Sequence, residues 1–285
     1  MQKLLSSIAD DCGISINLHE RVHGGDINTC YRLQGRDSRY FLKLNNNTAG
    51  LQGMFAMEAD GLHALRHNSS LLVPAVIKHG VIQDQQWLLL EWMEKGTPQK
   101  SKLQQFARGL ASLHQQPQSY FGWHSNNYIG SLQQLNTKHG SWADFYTACR
   151  IMPLFKTLHE AGAFTKSDIA AAESFCKNIA DLFPPEPPAL LHGDLWSGNY
   201  MITTSGHAAI FDPAVYFGHR EMDLGMTALF GGFDNAFYEA YHAVYPLQTG
   251  WQQRLPFSQL YPLLVHAVLF GGHYVQDARA IVMRF

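Results

Sequence analysis

Apolar residues recur at every second position early in the chain and at helical spacing later. Residues 15–22 predict a strand that ends at Gly24-Gly25, a turn signal. Across residues 28–33, Thr29, Tyr31 and Leu33 alternate with Cys30 and Arg32, a period of two that predicts a second strand. Arg36-Asp37-Ser38 predicts a turn and residues 40–44 a third strand. The period then changes. Phe55, Leu62 and Leu65 recur near 3.6 residues, so residues 54–66 predict a helix. Strands are expected at residues 75–78 and 87–91, and Glu94-Lys95-Gly96-Thr97-Pro98 reads as a connector leaving this β-rich region.

Helical spacing dominates the remainder. Ser101 is the expected cap of a helix with Leu103, Phe106, Leu110 and Leu113 on its apolar face, ending at His114. Residues 142–159 predict a helix with Phe145, Cys149, Met152 and Phe155 inward and a bend at Pro153. A third follows Ser167 and carries Ile169, Ala172, Phe175, Ile179 and Leu182, stopped by the prolines of residues 184–188. Residues 189–191 predict a short strand, and residues 199–203 and 208–211 a hairpin around Thr204-Ser205-Gly206. Residues 235–245 and 258–279 read as amphipathic helices. The pattern is α+β: an N-terminal lobe over residues 1–93, with one long helix, and a larger, mainly helical lobe over residues 94–285.

Two polar residues on apolar faces point to chemistry. Lys43 shares a strand face with Phe41, and Glu58 shares the helix face of Phe55 and Leu62. A carboxylate on a buried face is costly unless paired, and Lys43 is the simplest partner. The alternative leaves Glu58 reaching to the rim and Lys43 at a sheet edge. Downstream, the short apolar run ending at Leu191 leads into His192-Gly193-Asp194-Leu195-Trp196-Ser197-Gly198-Asn199, and Asp212 comes thirteen residues after Asn199. That order suits phosphoryl transfer from ATP with Mg²⁺. Asp194 would accept a hydroxyl proton, Asn199 and Asp212 would hold the metal, and Lys43, held by Glu58, would meet phosphate. The backbone of Gly24-Gly25 can approach phosphate closely, although an ordinary hairpin turn has the same signature. The apolar strand ending at Glu91-Trp92-Met93 would offer backbone groups to adenine. His192 is expected to brace the loop, and Asp223 to start or brace a helix.

Composition narrows the partners. Hydrophobic residues make up 46 %, enough for a core, and the net charge of −2 with no basic run disfavours nucleic acid. Four scattered cysteines without a CxxC read as free thiols of a reducing, cytoplasmic protein. No membrane span, secretory leader, internal repeat or zinc-type histidine spacing is expected, and a monomer or homodimer fits the length.

The chain resembles the fructosamine kinase (ketosamine-3-kinase) family, relatives of aminoglycoside and choline kinases with a protein-kinase-like fold. The resemblance spans nearly the whole chain. It rests on Gly24-Gly25-Asp26-Ile27-Asn28, Tyr40-Phe41-Leu42-Lys43-Leu44-Asn45, Phe55-Ala56-Met57-Glu58-Ala59, Phe121-Gly122 and Asn127-Tyr128-Ile129-Gly130. It continues through the Asp194–Asn199 loop, Asp212-Pro213-Ala214-Val215-Tyr216-Phe217-Gly218-His219-Arg220-Glu221 and Leu269-Phe270-Gly271-Gly272. The resemblance implies a bilobal fold and phosphorylation of a sugar hydroxyl on a free or protein-bound ketoamine, in repair of glycation or sugar-amine salvage. It implies Asp194 as base, Asn199 and Asp212 as metal ligands, Lys43 on phosphate, and the Gly24–Asn28 loop over the nucleotide. Trp196 could stack on the sugar and His266 could line its pocket. Asp26 stands where some members carry a cysteine, so redox control at that position is in doubt. A kinase of another small alcohol, of aminoglycoside, choline or thioribose type, uses the same trio; the few carboxylates of residues 120–160 disfavour a polycationic aminoglycoside.

Overall fold

The computed structural model describes residues 1–22, 27–97 and 99–285. The Gly24, Gly25 and Asp26 of the expected phosphate loop lie outside the described residues. In chain order, helix α1 (Gln2–Cys12) precedes strands β1 (Leu18–Val22), β2 (Thr29–Gln34) and β3 (Arg39–Asn46), helix α2 (Met54–Asn68), and strands β4 (Val76–Ile82) and β5 (Gln85–Glu91). The strands form one antiparallel sheet in the order β1-β2-β3-β5-β4. In β3, Cys30 and Leu88 flank Lys43 on the neighbouring strands. The period-two reading holds here, and its faces separate cleanly. Leu42 and Leu44 point to the outer face and pack with Leu33, Trp87 and Leu89. Phe41 and Lys43 take the opposite face, toward α2.

No element is expected over residues 2–12, yet α1 closes that outer face with Leu5 and Ile8, both buried. The spacing of Leu4, Leu5, Ile8 and Cys12 is helical, but the segment is too short to stand out by period alone. The fourth strand also exceeds its expected end at residue 78. It runs to Ile82 and turns through Gln83, whose φ is +55°.

The second lobe begins with α3 (Lys100–His114). Its N-cap is Gln99 and not Ser101, and no side chain caps it. The β6 (Asn127–Ile129) and β7 (Leu132–Gln134) hairpin follows, then α4 (Trp142–Tyr146), a π-helical turn (Thr147–Ile151) and α5 (Met152–Glu160). The expected single helix over 142–159 is thus interrupted, and by the widened turn, not by Pro153. That proline sits in the first turn of α5, where its missing N–H is not needed. Helix α6 (Lys166–Leu182) carries a capping box from Thr165 and Asp168. After it come β8 (Ala189–Leu191), the hairpin β9 (Tyr200–Ile202) and β10 (Ala208–Ile210), β11 (Tyr216–Gly218), α7 (Glu221–Leu229) and α8 (Asn235–Val244). The last two are α9 (Trp251–Phe270) and α10 (His273–Val282). The expected helix over 258–279 is two helices. Gly271 and Gly272, with φ of +65° and +64°, break it in backbone conformations that a side chain would resist. A large core joins α2, Leu88 and Leu90 of β5 and the second lobe.

The connector between the sheet and α3 is itself anchored. Gly96 N donates to Ile202 O at 2.7 Å, and Thr204 N to Glu94 O at 3.0 Å. A Cβ on Gly96 would lie 2.4 Å from Thr203 O, so only glycine permits this approach.

Ile8→Ala tests whether α1 belongs to the folded core. The expected loss is about 2–4 kcal/mol in equilibrium urea unfolding, as for other buried large-to-small changes. A loss within experimental error would mean that α1 is not needed to close the sheet.

Candidate active site

Lys43 is the centre of the site. It is 3 % exposed, and its Nζ donates to Glu58 Oε1 and Asp212 Oδ1, both at 2.7 Å. Burial works against its charge, but Asp212 and Glu58 outweigh burial and hold its pKa above the usual lysine range. The inferred ion pair of Lys43 and Glu58 is therefore present, with Asp212 as a third member.

Asp212 follows β10 and has a φ of +56°, in the left-handed region that aspartate tolerates better than most residues. The turn is fixed on both sides. Phe211 N donates to Asn199 O at 3.1 Å and Ala214 N to His192 O at 2.9 Å. Asn199 is buried, and its Nδ2 donates to Asp194 O and to Asp194 Oδ2, each at 2.9 Å. With Nδ2 committed to Asp194, Oδ1 is the atom of Asn199 that can face a cation. The β9–β10 hairpin brings Asn199 and Asp212 to one wall of a cleft of about 570 Å³ that also holds Asp194 and Glu58. Burial first, and then the Asp212 charge, push the Asp194 carboxyl up to about 7.

The loop that carries Asp194 is held largely through its backbone. Asp223, fully buried at the start of α7, accepts from His192 N at 2.8 Å and Gly193 N at 2.9 Å. Burial opposes its charge, yet His114, His192 and these amides hold its pKa below the usual carboxylate value. His114 Nε2 reaches Asp223 at 3.2 Å and its Nδ1 meets Tyr241 Oη at 2.8 Å. Burial lowers the pKa of His192. Its Nε2–H donates to Phe211 O at 3.0 Å, which leaves Nδ1 to accept from Asp194 N at 3.3 Å. His192 is thus a brace, as is Asp223. Gly193 has a φ of +83°, and a Cβ there would lie 2.0 Å from Ala214 O.

Several other expected residues meet at the cleft. Ile27 and Asn28 line it beside Cys30, whose thiol burial pushes up to about 11. Trp196 is 40 % exposed and meets Phe230 edge-on at 6.1 Å. His266 lies 5.0 Å from the Phe230 ring and 4.9 Å from Tyr274. Burial lowers its pKa, and its Nδ1–H donates to Pro262 O at 2.8 Å, leaving Nε2 as an acceptor. Phe230, Phe270 and Tyr274 complete this aromatic wall; Phe270 lies in the Leu269-Phe270-Gly271-Gly272 motif without a role assigned to it, and no sequence pattern marked the other two. Glu91, Trp92 and Met93 are not among the residues lining this cleft. Glu91 N donates to Ala75 O and Trp92 N to Arg39 O, while the Trp92 indole donates to Glu94 at 3.2 Å. No group of three His, Cys, Asp or Glu that could hold a metal occurs among the described residues. No described helix is long and apolar enough to cross a membrane.

The description "Fructosamine kinase" matches residues 2–285. A probable ketoamine kinase of Synechocystis sp. is 40 % identical over 285 residues, covering 99 % of this chain and 95 % of that protein. A crystal structure from Thermobifida fusca, assigned as a fructosamine-3-kinase, is 32 % identical, with a TM-score of 0.89 and full coverage of both chains. The aminoglycoside phosphotransferase APH(4)-Ia shares the fold alone, at a TM-score of 0.62 and 16 % identity over 98 % of each chain. With the match running from residue 2 to the last residue, the chain belongs to the fructosamine kinase family.

Proposed function

We propose that this protein transfers the γ-phosphoryl group of ATP to a sugar hydroxyl of a ketoamine, in repair of glycated amines or sugar-amine salvage. The observation that supports it most is the convergence of Asp194, Asn199, Asp212 and the Lys43–Glu58 pair on one cleft. A family of ketoamine kinases narrows the acceptor.

The donor set fits Mg²⁺. One amide oxygen from Asn199 and one carboxylate from Asp212 leave room for phosphate and water oxygens, as this hard cation prefers. Bound there, the ion would neutralise charge on the phosphates. The residues of the chain do the rest. Lys43 would release Asp212 and hold a phosphate oxygen, with Glu58 fixing its ammonium. Asp194, held by Asn199 Nδ2, would accept the proton as the acceptor hydroxyl oxygen bonds to the γ-phosphorus and the bond to the ADP oxygen breaks. The Gly24, Gly25 and Asp26 segment, with Ile27 and Asn28, would cover the phosphates. The segment of Glu91, Trp92 and Met93 would meet the nucleobase, with the Met93 amide the donor of the three that has no backbone partner among the described residues. Trp196 would stack on the C–H face of the sugar and His266 Nε2 would accept from one of its hydroxyls.

Asp194→Asn is expected to lower kcat by roughly 10²-fold or more while Mg-ATP still binds, because a proton acceptor is lost and the nucleotide contacts remain. Asp212→Ala is expected to abolish Mg²⁺-dependent nucleotide binding. Identical Mg-ATP titrations for the two variants would overturn this division of roles.

Trp196→Ala is expected to raise KM for the ketoamine by about tenfold, the scale of one lost stacking contact, with KM for ATP unchanged. Steady-state kinetics with each substrate varied reads both constants, and a change in ATP alone would remove Trp196 from the sugar site.

The substrate class is tested by ADP release against a fructosamine, a ribulosamine, an erythrulosamine, kanamycin and choline. Turnover of the ketoamines alone is expected; turnover of only kanamycin or choline would discard the ketoamine.

A further inference from the structure

Arg150 is the most unusual charge in the molecule. It sits in the π-helical turn of Thr147–Ile151 and is fully buried. Among the described residues no carboxylate pairs with it, and its Nε has no partner. A buried cation in that state is expensive, and it persists only where other groups replace water. Three rings do so in part: its guanidinium lies 4.6 Å from the Phe145 ring centre, 4.1 Å from Tyr216 and 5.0 Å from Tyr261. Backbone oxygens take more of the charge, with Nη1 donating to Leu135 O and to Cys149 O.

The remaining contact leads toward the active site. Arg150 Nη2 donates to Asn136 Oδ1 at 2.8 Å. Because guanidinium has only donors, this fixes which way the Asn136 amide points. Its Nδ2 then donates to Asn127 Oδ1 at 2.8 Å, and Asn127 Nδ2 donates to Val215 O at 2.8 Å. A second branch has the same polarity. The Tyr261 hydroxyl donates to Gln134 Oε1 at 2.8 Å, and Gln134 Nε2 donates to Asn127 Oδ1 at 2.8 Å and Ala214 O at 3.0 Å. The chain starts on a pure donor and ends on two carbonyls, which are pure acceptors. Every amide between them has one permitted orientation. Asn127, Gln134 and Asn136 are all nearly or fully buried, so water cannot stand in for a lost bond.

We infer that Arg150 is a positioning residue for the Asp212 turn, acting through the Asn136, Asn127 and Gln134 amides on the Ala214 and Val215 carbonyls. This rests on the reading of Asp212 as the metal-holding carboxylate. Asp212 sits at positive φ, and Pro213 and the two anchored carbonyls follow it directly, so the anchor acts beside the Phe211 and Ala214 amide bonds in holding a strained turn.

The test is binding of the non-hydrolysable analogue AMP-PNP by calorimetry at stepped Mg²⁺, which needs no turnover. Four proteins are compared: wild type, Arg150→Met, Arg150→Lys and Asn136→Asp. Arg150→Met removes the obligate donor. Asn136→Asp gives the guanidinium a carboxylate but removes the donor to Asn127, so the chain breaks with the charge better paired than before. Both are expected to raise the Mg²⁺ concentration for half-maximal AMP-PNP binding by about tenfold or more, the scale for lost groups behind a metal ligand. Arg150→Lys keeps a charged donor and is expected to recover most of that loss. In activity assays KM for the ketoamine is expected to stay within about twofold, which a general loosening of the fold would not allow. If Arg150→Met does not fold, Asn136→Asp decides alone. A wild-type Mg²⁺ requirement in Asn136→Asp overturns the inference, and so does a wild-type protein that binds AMP-PNP without regard to Mg²⁺. Wild type that binds Mg²⁺ and AMP-PNP but turns over no ketoamine would overturn the substrate reading and leave the Arg150 comparison intact.

Discussion

Everything at the cleft depends on one buried ammonium with two carboxylates. Lys43 comes from the middle of a sheet, Glu58 from the helix behind it, and Asp212 from a turn in the other lobe. Burying a charge is favourable only when its partners are in place, so these three segments are specified together. The sheet supplies a rigid base: Lys43 has a strand on either side, and its neighbours Leu42 and Leu44 are locked into the outer core. The same arrangement keeps Asp212 drawn toward the first lobe through a contact that does not need nucleotide.

The rest of the site is built from backbone amides and carbonyls held by buried side chains. Asp223 holds two amides of the loop that carries Asp194, His192 links Phe211 O to Asp194 N, and Asn127 and Gln134 hold the two carbonyls beyond Pro213. Such anchors are buried and fully bonded, so each admits one geometry. The wall around Trp196 and His266 has a different character. Its aromatic wall is partly exposed and contributes shape and stacking surface more than directed bonds.

The sequence made the ordered chemistry legible because those residues break a pattern. A lysine and a glutamate on apolar faces are anomalies, and the order of Asp194, Asn199 and Asp212 has few other uses. Strand periodicity was equally clear around Lys43, since one face of the sheet is deeply buried. Helix ends were less clear. Lys100 and Ser101 are both plausible starts, and a glycine pair inside an apolar run looks the same whether it sits within a helix or breaks one. Helix α1 was hidden by its length, for two buried positions do not make a period. Phe230 and Tyr274 were hidden for the opposite reason, and Phe270 carried no role although its motif was noted: in a chain this rich in aromatics, a wall residue and a core residue have the same signature. Arg150 was invisible too, because nothing local distinguishes a buried arginine from a solvated one on a helix.

The anchoring of Gly96 has a mechanical consequence. The connector is hydrogen-bonded to the hairpin whose two strands begin after Asn199 and end two residues before Asp212. The same hairpin also holds the segment between α2 and β4, where Leu72 N donates to Ala208 O at 3.0 Å and Ile210 N to Leu72 O at 2.9 Å. The hairpin that begins after Asn199 is thus stitched to the first lobe on both sides of the β4–β5 pair, at Leu72 and at the connector. A side chain at position 96 would open one of these two seams and leave the other, so its cost would fall on how that hairpin is seated under the sheet and not on the sheet itself.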